Sequence, residues 1–109
     1  MDNLKKINLL VFLENLSAGI IIISADLTVK FINRAAFQTL NLKKESINLK
    51  LHEIIDDEII INAVSATIAE KKSFARIVAK FGLDAENSIY IGFTTSPYFD
   101  ERGKVEYII

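Results

Sequence analysis

Apolar residues recur three and four apart over Leu4–Leu16. Leu9, Phe12, Leu13 and Leu16 make one stripe, and Leu4, Ile7, Leu10 and Val11 make a second, a spacing that predicts an amphipathic helix. One stripe can cover a small domain. The other is expected to pair with its copy in a second chain, the isologous contact that is commonest among closed assemblies. Ser17-Ala18-Gly19 ends the helix, Gly19 suiting the position just past a helix end. Ile20–Ile23 is β-branched and apolar on both faces, which predicts a central strand covered on both sides. Ser24–Leu27 is a turn and Val29–Ile32 the hairpin mate of that strand.

Asn33 ends the hairpin and is suited to cap a short helix over Arg34–Leu40. Asn41 suits a left-handed C-cap, with Leu42 folding back on the helix end. Lys43–Leu51 reads as a polar connector holding a short helical turn. Asp56 or Asp57 then caps a helix over Glu58–Lys72, with Ile60, Ile61, Val64 and Ile68 along one stripe. Its acidic start and Lys71-Lys72 end follow the helix dipole. Past Ser73 the period changes to two. Phe74–Phe81 and Ser88–Ser96 are strands joined by the 82–87 turn, with Tyr90 facing away from Ile91 and Phe93. Pro97 marks a bulge or an edge, Asp100–Gly103 a tight turn, and Val105–Ile109 the last strand.

This order of elements predicts an α+β fold. Its five-stranded antiparallel sheet carries helices on one face, and an N-terminal amphipathic helix precedes it. The Ile20–Ile23 strand lies between its hairpin mate and the C-terminal strand. We divide the chain into residues 1–16, the dimerisation helix, and 17–109, the sheet domain. Its end inside a strand at Ile109 leads us to expect a piece of a longer protein.

Composition narrows the chemistry. Of 109 residues half are hydrophobic and a quarter charged, so the chain can bury a core. Thirteen Lys and Arg stand against fourteen Asp and Glu without a basic stripe, which argues against nucleic acid as a partner. The sequence has no cysteine and one histidine, His52, which excludes disulfides, thiolate catalysis and cysteine-ligated metals. No apolar run reaches the roughly 18 residues of a membrane helix. Without a signal peptide pattern, the expected location is cytoplasmic. No convergent polar cluster suggests an enzyme.

Four segments carry a family likeness: Glu14–Ile23, Asp26 with Val29–Phe37, Leu49–Ile55, and Ser96–Val105. In this order and spacing they resemble a PAS domain, over about residues 14–109. The second is similar to that family's Asn-x-Ala helix start, and the fourth to its Ser-Pro-x-x-Asp-x-x-Gly-x-Val turn. Leu27 and Asn48 stand where the family usually has glycine. The resemblance implies a sensory and interaction module, and the parent expected here is a sensor histidine kinase, with ligand or partner binding passed to a C-terminal output domain. A ligand-free dimerisation scaffold of a transcription regulator or second-messenger cyclase is the alternative.

The resemblance also orders the candidate residues. Haem-binding members carry a histidine on the long helix, here Glu58–Lys72, which has none, so His52 is expected on the surface. The cysteine of flavin-adduct members is missing. No cofactor is predicted, and a small-molecule ligand is left unidentified. Phe31, Phe37, Leu40, Leu51, Ile54, Val64, Ile68, Ile77, Ile91 and Phe93 are the candidate pocket residues between helices and sheet. They are large, which predicts a small or filled cavity. Asn33 is expected to be structural, capping its helix and tying back to the Asp26 turn. Arg76, placed by period two on the face of Phe74 and Val78, is a candidate for a carboxylate ligand and otherwise an exposed strand residue. Glu53, Asp56, Asp57 and Glu58 are read as caps and first-turn charges rather than a metal site.

Overall fold

The computed structural model describes residues 11–81 and 89–109. Residues 11–14 are helical, and Asn15 closes their end through its backbone N–H and its side-chain amide, both donating to the Val11 carbonyl. Leu13 and Leu16 are half-buried, while Val11 and Phe12 are exposed. Leu4, Ile7 and Leu10, assigned with Val11 to a dimer stripe, lie outside the described residues, as does the 82–87 turn.

The hairpin forms as its pattern predicts, from β1 (Ile21–Ser24) and β2 (Val29–Ile32). β1 is interior, paired antiparallel to β2 on one side and to β6 (Val105–Ile108) on the other. Of its isoleucines only Ile23 is fully buried, and Ile22 is half-covered, so cover on both faces is incomplete. β3 (Phe74–Phe81) pairs with β4 (Ile89–Thr95), and β5 (Pro97–Phe99) pairs with β6.

Among the described residues six strands stand where five were expected, because one long strand is divided at Ser96. The ladder nevertheless continues across the division. Ser96 and Ile109 exchange both backbone hydrogen bonds, at 3.0 and 2.9 Å. Pro97, opposite Ile108, therefore falls at a position of the antiparallel pattern where no N–H is needed. The division separates a four-stranded sheet, ordered β2-β1-β6-β5, from the β3-β4 pair.

The helices are α1 (Arg34–Leu40), α2 (Leu51–Ile54) and α3 (Glu58–Glu70), with a 3-10 turn at Lys44–Ser46. Asn33 caps α1, and Asn41 ends it at φ 53° while the Leu42 N–H returns to the Phe37 carbonyl. The Asp57 carboxylate caps α3 by accepting from the Ile60 N–H at 3.0 Å. Ile23, Val29, Ile32, Val105 and Ile108 from the sheet meet Ala36, Leu51, Ile55 and Val64 from the helical side to form the core.

α3 stops at Glu70, two residues before the expected end, because Lys71 turns left-handed at φ 57°. A side chain there costs about 1–2 kcal/mol, against about 0.5–1 kcal/mol of backbone entropy that glycine would lose. Lys71 is exposed. Lys71→Gly should therefore stabilise the domain by about 0.5–1 kcal/mol. Urea unfolding reads this as a higher midpoint at unchanged slope; an unchanged or lower midpoint contradicts it.

Three register shifts interrupt the ladders. Between β1 and β2 the shift passes over Lys30, so Val29 and Ile32 both reach the core and Phe31 pairs with Ile22 on the opposite face. In β3 the shift falls between Phe74 and Ile77, with Arg76 at φ 59°. Alternation fails there: Phe74 and Ile77 oppose Thr95 and Phe93, so Phe74 and Val78 no longer share a face, and Arg76 is exposed, as Val78 is.

Candidate functional site

Asn33 sits where α1 begins and is 0% exposed. Its Oδ1 accepts from the Ala36 N–H at 2.9 Å, as a cap does, and from the Ile20 N–H at 2.8 Å. Its Nδ2 donates to the carbonyls of Leu13 at 2.9 Å and Ala18 at 2.8 Å. Two acceptor sites and two donors are all that an amide offers, and all are used. The expected tie to the Asp26 turn is not made; the amide binds the chain end of the N-terminal helix and the start of the sheet instead. Gly19 lies between these anchors, where a Cβ would stand 3.2 Å from the Ala36 backbone. A side chain there would push helix and connector apart by a few tenths of an ångström.

The Asp26 turn stabilises itself. The carboxylate accepts from the Ser24 hydroxyl and from the Thr28 N–H at 3.2 Å, and Lys50 stands 3.5 Å away. The Ser24 and Thr28 hydrogen bonds, helped by Lys50, hold its pKa well below the usual carboxylate range. Leu27 takes φ 68° and Asn48 φ 71°, the two places where the resembled family has glycine.

Above the sheet lies a cavity of about 640 Å3, within the range of small-molecule sites. Its floor is the inner side of β1, β4 and β6, including Ile23, Ile91, Phe93 and Ile108. Its helical wall includes Ala36 and Leu40 of α1, Leu51 of α2, and Ile60 and Val64 of α3. A small or filled cavity was expected; among the described residues the space is instead a half-open cleft. The reason is direction rather than volume. Of the ten candidates, Leu40, Leu51, Val64, Ile91 and Phe93 line it; Phe31, Phe37, Ile54, Ile68 and Ile77 do not. Phe31 is turned to the opposite face by the β2 register shift, while Phe37, Ile54 and Ile68 pack against the core cluster. Small residues, Ala18, Gly19 and Ala36, border the space thereby left.

Pattern reasoning missed the polar part of this wall. Thr94, Thr95 and Ser96 line it in succession, and Thr95 is buried. The Thr67 hydroxyl of α3 donates to the Ala63 carbonyl at 2.8 Å and lies 2.5 Å from the Thr95 hydroxyl. Since Thr67 has spent its only proton, Thr95 is the donor between them. The signal was present: a threonine on the apolar stripe of a helix needs a partner across the core.

The remaining candidates lie outside the cavity. Arg76 is exposed in its bulge. His52, on α2, is exposed as well. Asp57 serves as a cap, and among the described residues no three of His, Cys, Asp and Glu gather as a metal site. Among those residues, too, no helix is long and apolar enough to cross a membrane.

No protein-family model matches the sequence, and no curated protein matches it significantly. Solved structures do. The chain superposes on the Escherichia coli DhaR(N)–DhaL complex with a TM-score of 0.75 at 20% identity, covering 98% of this chain and 34% of that one. For an RNA-binding light-oxygen-voltage receptor the TM-score is 0.73 at 14% identity, over 99% of this chain and 32% of that one. The chain thus spans about a third of the length of each of these two. For the PAS domain of nitrogen regulation protein NR(II) from Vibrio parahaemolyticus the TM-score is 0.70 at 17% identity, covering 91% of both chains. The PAS domain of histidine kinase ThkA gives 0.58 at 23% identity, over 81% of this chain and 88% of that one. The fold of this chain is the PAS fold.

Proposed function

We propose that this chain, with its PAS fold, is a sensory and interaction domain of a cytoplasmic signalling protein, a sensor histidine kinase before other parents. It is not an enzyme. The observation that carries this reading is the apolar cavity, whose floor includes Ile108 and whose rim includes Ile109, on and beside the last strand. A ligand seated there touches the segment through which an output module would be driven. The mechanism is a population shift: a ligand favours one packing of the last strand and the N-terminal helix by the difference in its affinity for the two. Solved PAS domains of histidine kinases among the structural neighbours support that choice of parent.

The chain is expected to pair with a second copy through the N-terminal helix, from which Val11 presents an exposed side chain. Native mass spectrometry of the purified chain tests both parts. A dimer carrying a small molecule is expected, and removal of residues 1–16 should leave monomers. A bare dimer favours the scaffold alternative, a full-length monomer overturns the pairing, and turnover of a metabolite panel would make the chain an enzyme.

A further inference from the structure

The cavity wall is uneven in one respect. Among its twenty described lining residues none is Asp, Glu, Lys, Arg or His. Side chains from α1, α2, α3, β1 and β6 make it apolar, and polar side chains come chiefly from one stretch, Thr94-Thr95-Ser96. An anion entering this half-open space would give up part of its water without gaining a counter-charge from the described residues, an unfavourable exchange. Arg76, the cation that could have served, stands outside the wall. Thr95 meanwhile has its proton committed to Thr67, whose own proton is committed to the Ala63 carbonyl. The Thr95 oxygen is left with acceptor capacity only.

We propose that the cavity takes a neutral, largely apolar small molecule bearing one hydrogen-bond donor, a hydroxyl or an N–H, which Thr95 accepts. This rests on the reading of the cavity as the sensing site and gives that site a ligand class. A carboxylate or phosphate inside it would meet no counter-charge among the described residues. The Thr67–Thr95 chain makes the selection directional: it joins α3 to β4 and fixes which way the hydroxyl points.

Three probes of one shape separate the possibilities: naphthalene, naphthol and naphthoate, titrated into the full chain and followed by the backbone amide signals of Val64, Ile91 and Ile108. Naphthol should bind tightest, about three- to tenfold over naphthalene for one neutral hydrogen bond. Naphthoate should bind at least tenfold more weakly than naphthol. Thr95→Val should erase the preference for naphthol over naphthalene while naphthalene still binds, and Thr95→Ser should keep it. Naphthoate binding as tightly as naphthol overturns the ligand class and leaves the sensing cavity standing. A preference that survives in Thr95→Val overturns the role of Thr95. If none of the probes moves those amides, the cavity is not a ligand site, and the sensing reading falls with the proposal.

Discussion

Replacing Asn33 with alanine should cost about 3 kcal/mol, a large part of the roughly 5–15 kcal/mol that holds a domain folded. The cap lost at Ala36 is worth about 1 kcal/mol. The buried Ala36 N–H and the Ile20 N–H lose their acceptor together, and the Leu13 and Ala18 carbonyls lose their donors. Each group left without a partner away from water adds about 1 kcal/mol or more, less where water can reach it. For a chain of this size the loss corresponds to a fall in melting temperature of about 10–20 °C. Asn33→Asp separates the two ends of the amide. It keeps both acceptor bonds but sets a negative oxygen against two carbonyls, so at neutral pH it should cost nearly as much as alanine. Asn33→Ser, which can still cap, should fall between wild type and alanine. Chemical unfolding measures all three; an alanine variant within about 1 kcal/mol of wild type would show that solvent replaces these bonds. Native-state exchange of the Ile20 amide should quicken out of proportion to the global change, since its acceptor is the atom removed.

That Asn33 is a cap could be read from the residues around it, because capping is local: a polar side chain, three residues, a helix. The same holds for Asn41, for the alternation that exposes Tyr90 and half-buries Ile91 and Phe93, and for the β-branched run at β1. The partners of the Asn33 Nδ2, fifteen and twenty residues earlier in the chain, could not be read. They depend on the route of the connector past Gly19. The pocket place given to Phe31 and the common face given to Phe74, Arg76 and Val78 fail for one shared reason, although Arg76 is the exposed strand residue expected. Each lies at a register shift, and a shift is set by pairing with another strand rather than by the strand's own pattern. Neither bulge carries a glycine to announce it. Leu27 and Asn48 are the reverse case, positions where the family's glycine is missing yet the left-handed backbone is kept. The volumes of ten large side chains were legible, but their directions were not, and direction decides whether space between helices and sheet is filled.

Leu51→Ala tests that last point with a second large effect. Leu51 is 1% exposed, belongs to the core cluster and lines the cavity. Truncating a buried leucine costs about 2–5 kcal/mol through lost transfer energy and the space left behind. About 3 kcal/mol is expected here, because the backbone around Leu51 is pinned and cannot collapse inward. Its N–H donates to the Leu27 carbonyl at 2.8 Å, and the Val29 N–H donates to the Leu49 carbonyl at 2.8 Å. The new space joins the cavity, so an apolar probe should refill it. At a hundred times its dissociation constant a ligand specific for the folded state returns about 2.7 kcal/mol. Naphthalene should accordingly raise the unfolding midpoint of Leu51→Ala more than that of wild type. Ile54→Ala is the matched control: Ile54 lies on the same short helix and packs against the same cluster, but it is only half-buried and outside the cavity wall. Its truncation should cost less, about 1–2 kcal/mol in proportion to its burial, and the probe should rescue it no better than wild type. Equal rescue of both variants would mean that Leu51 does not border the space that ligands enter.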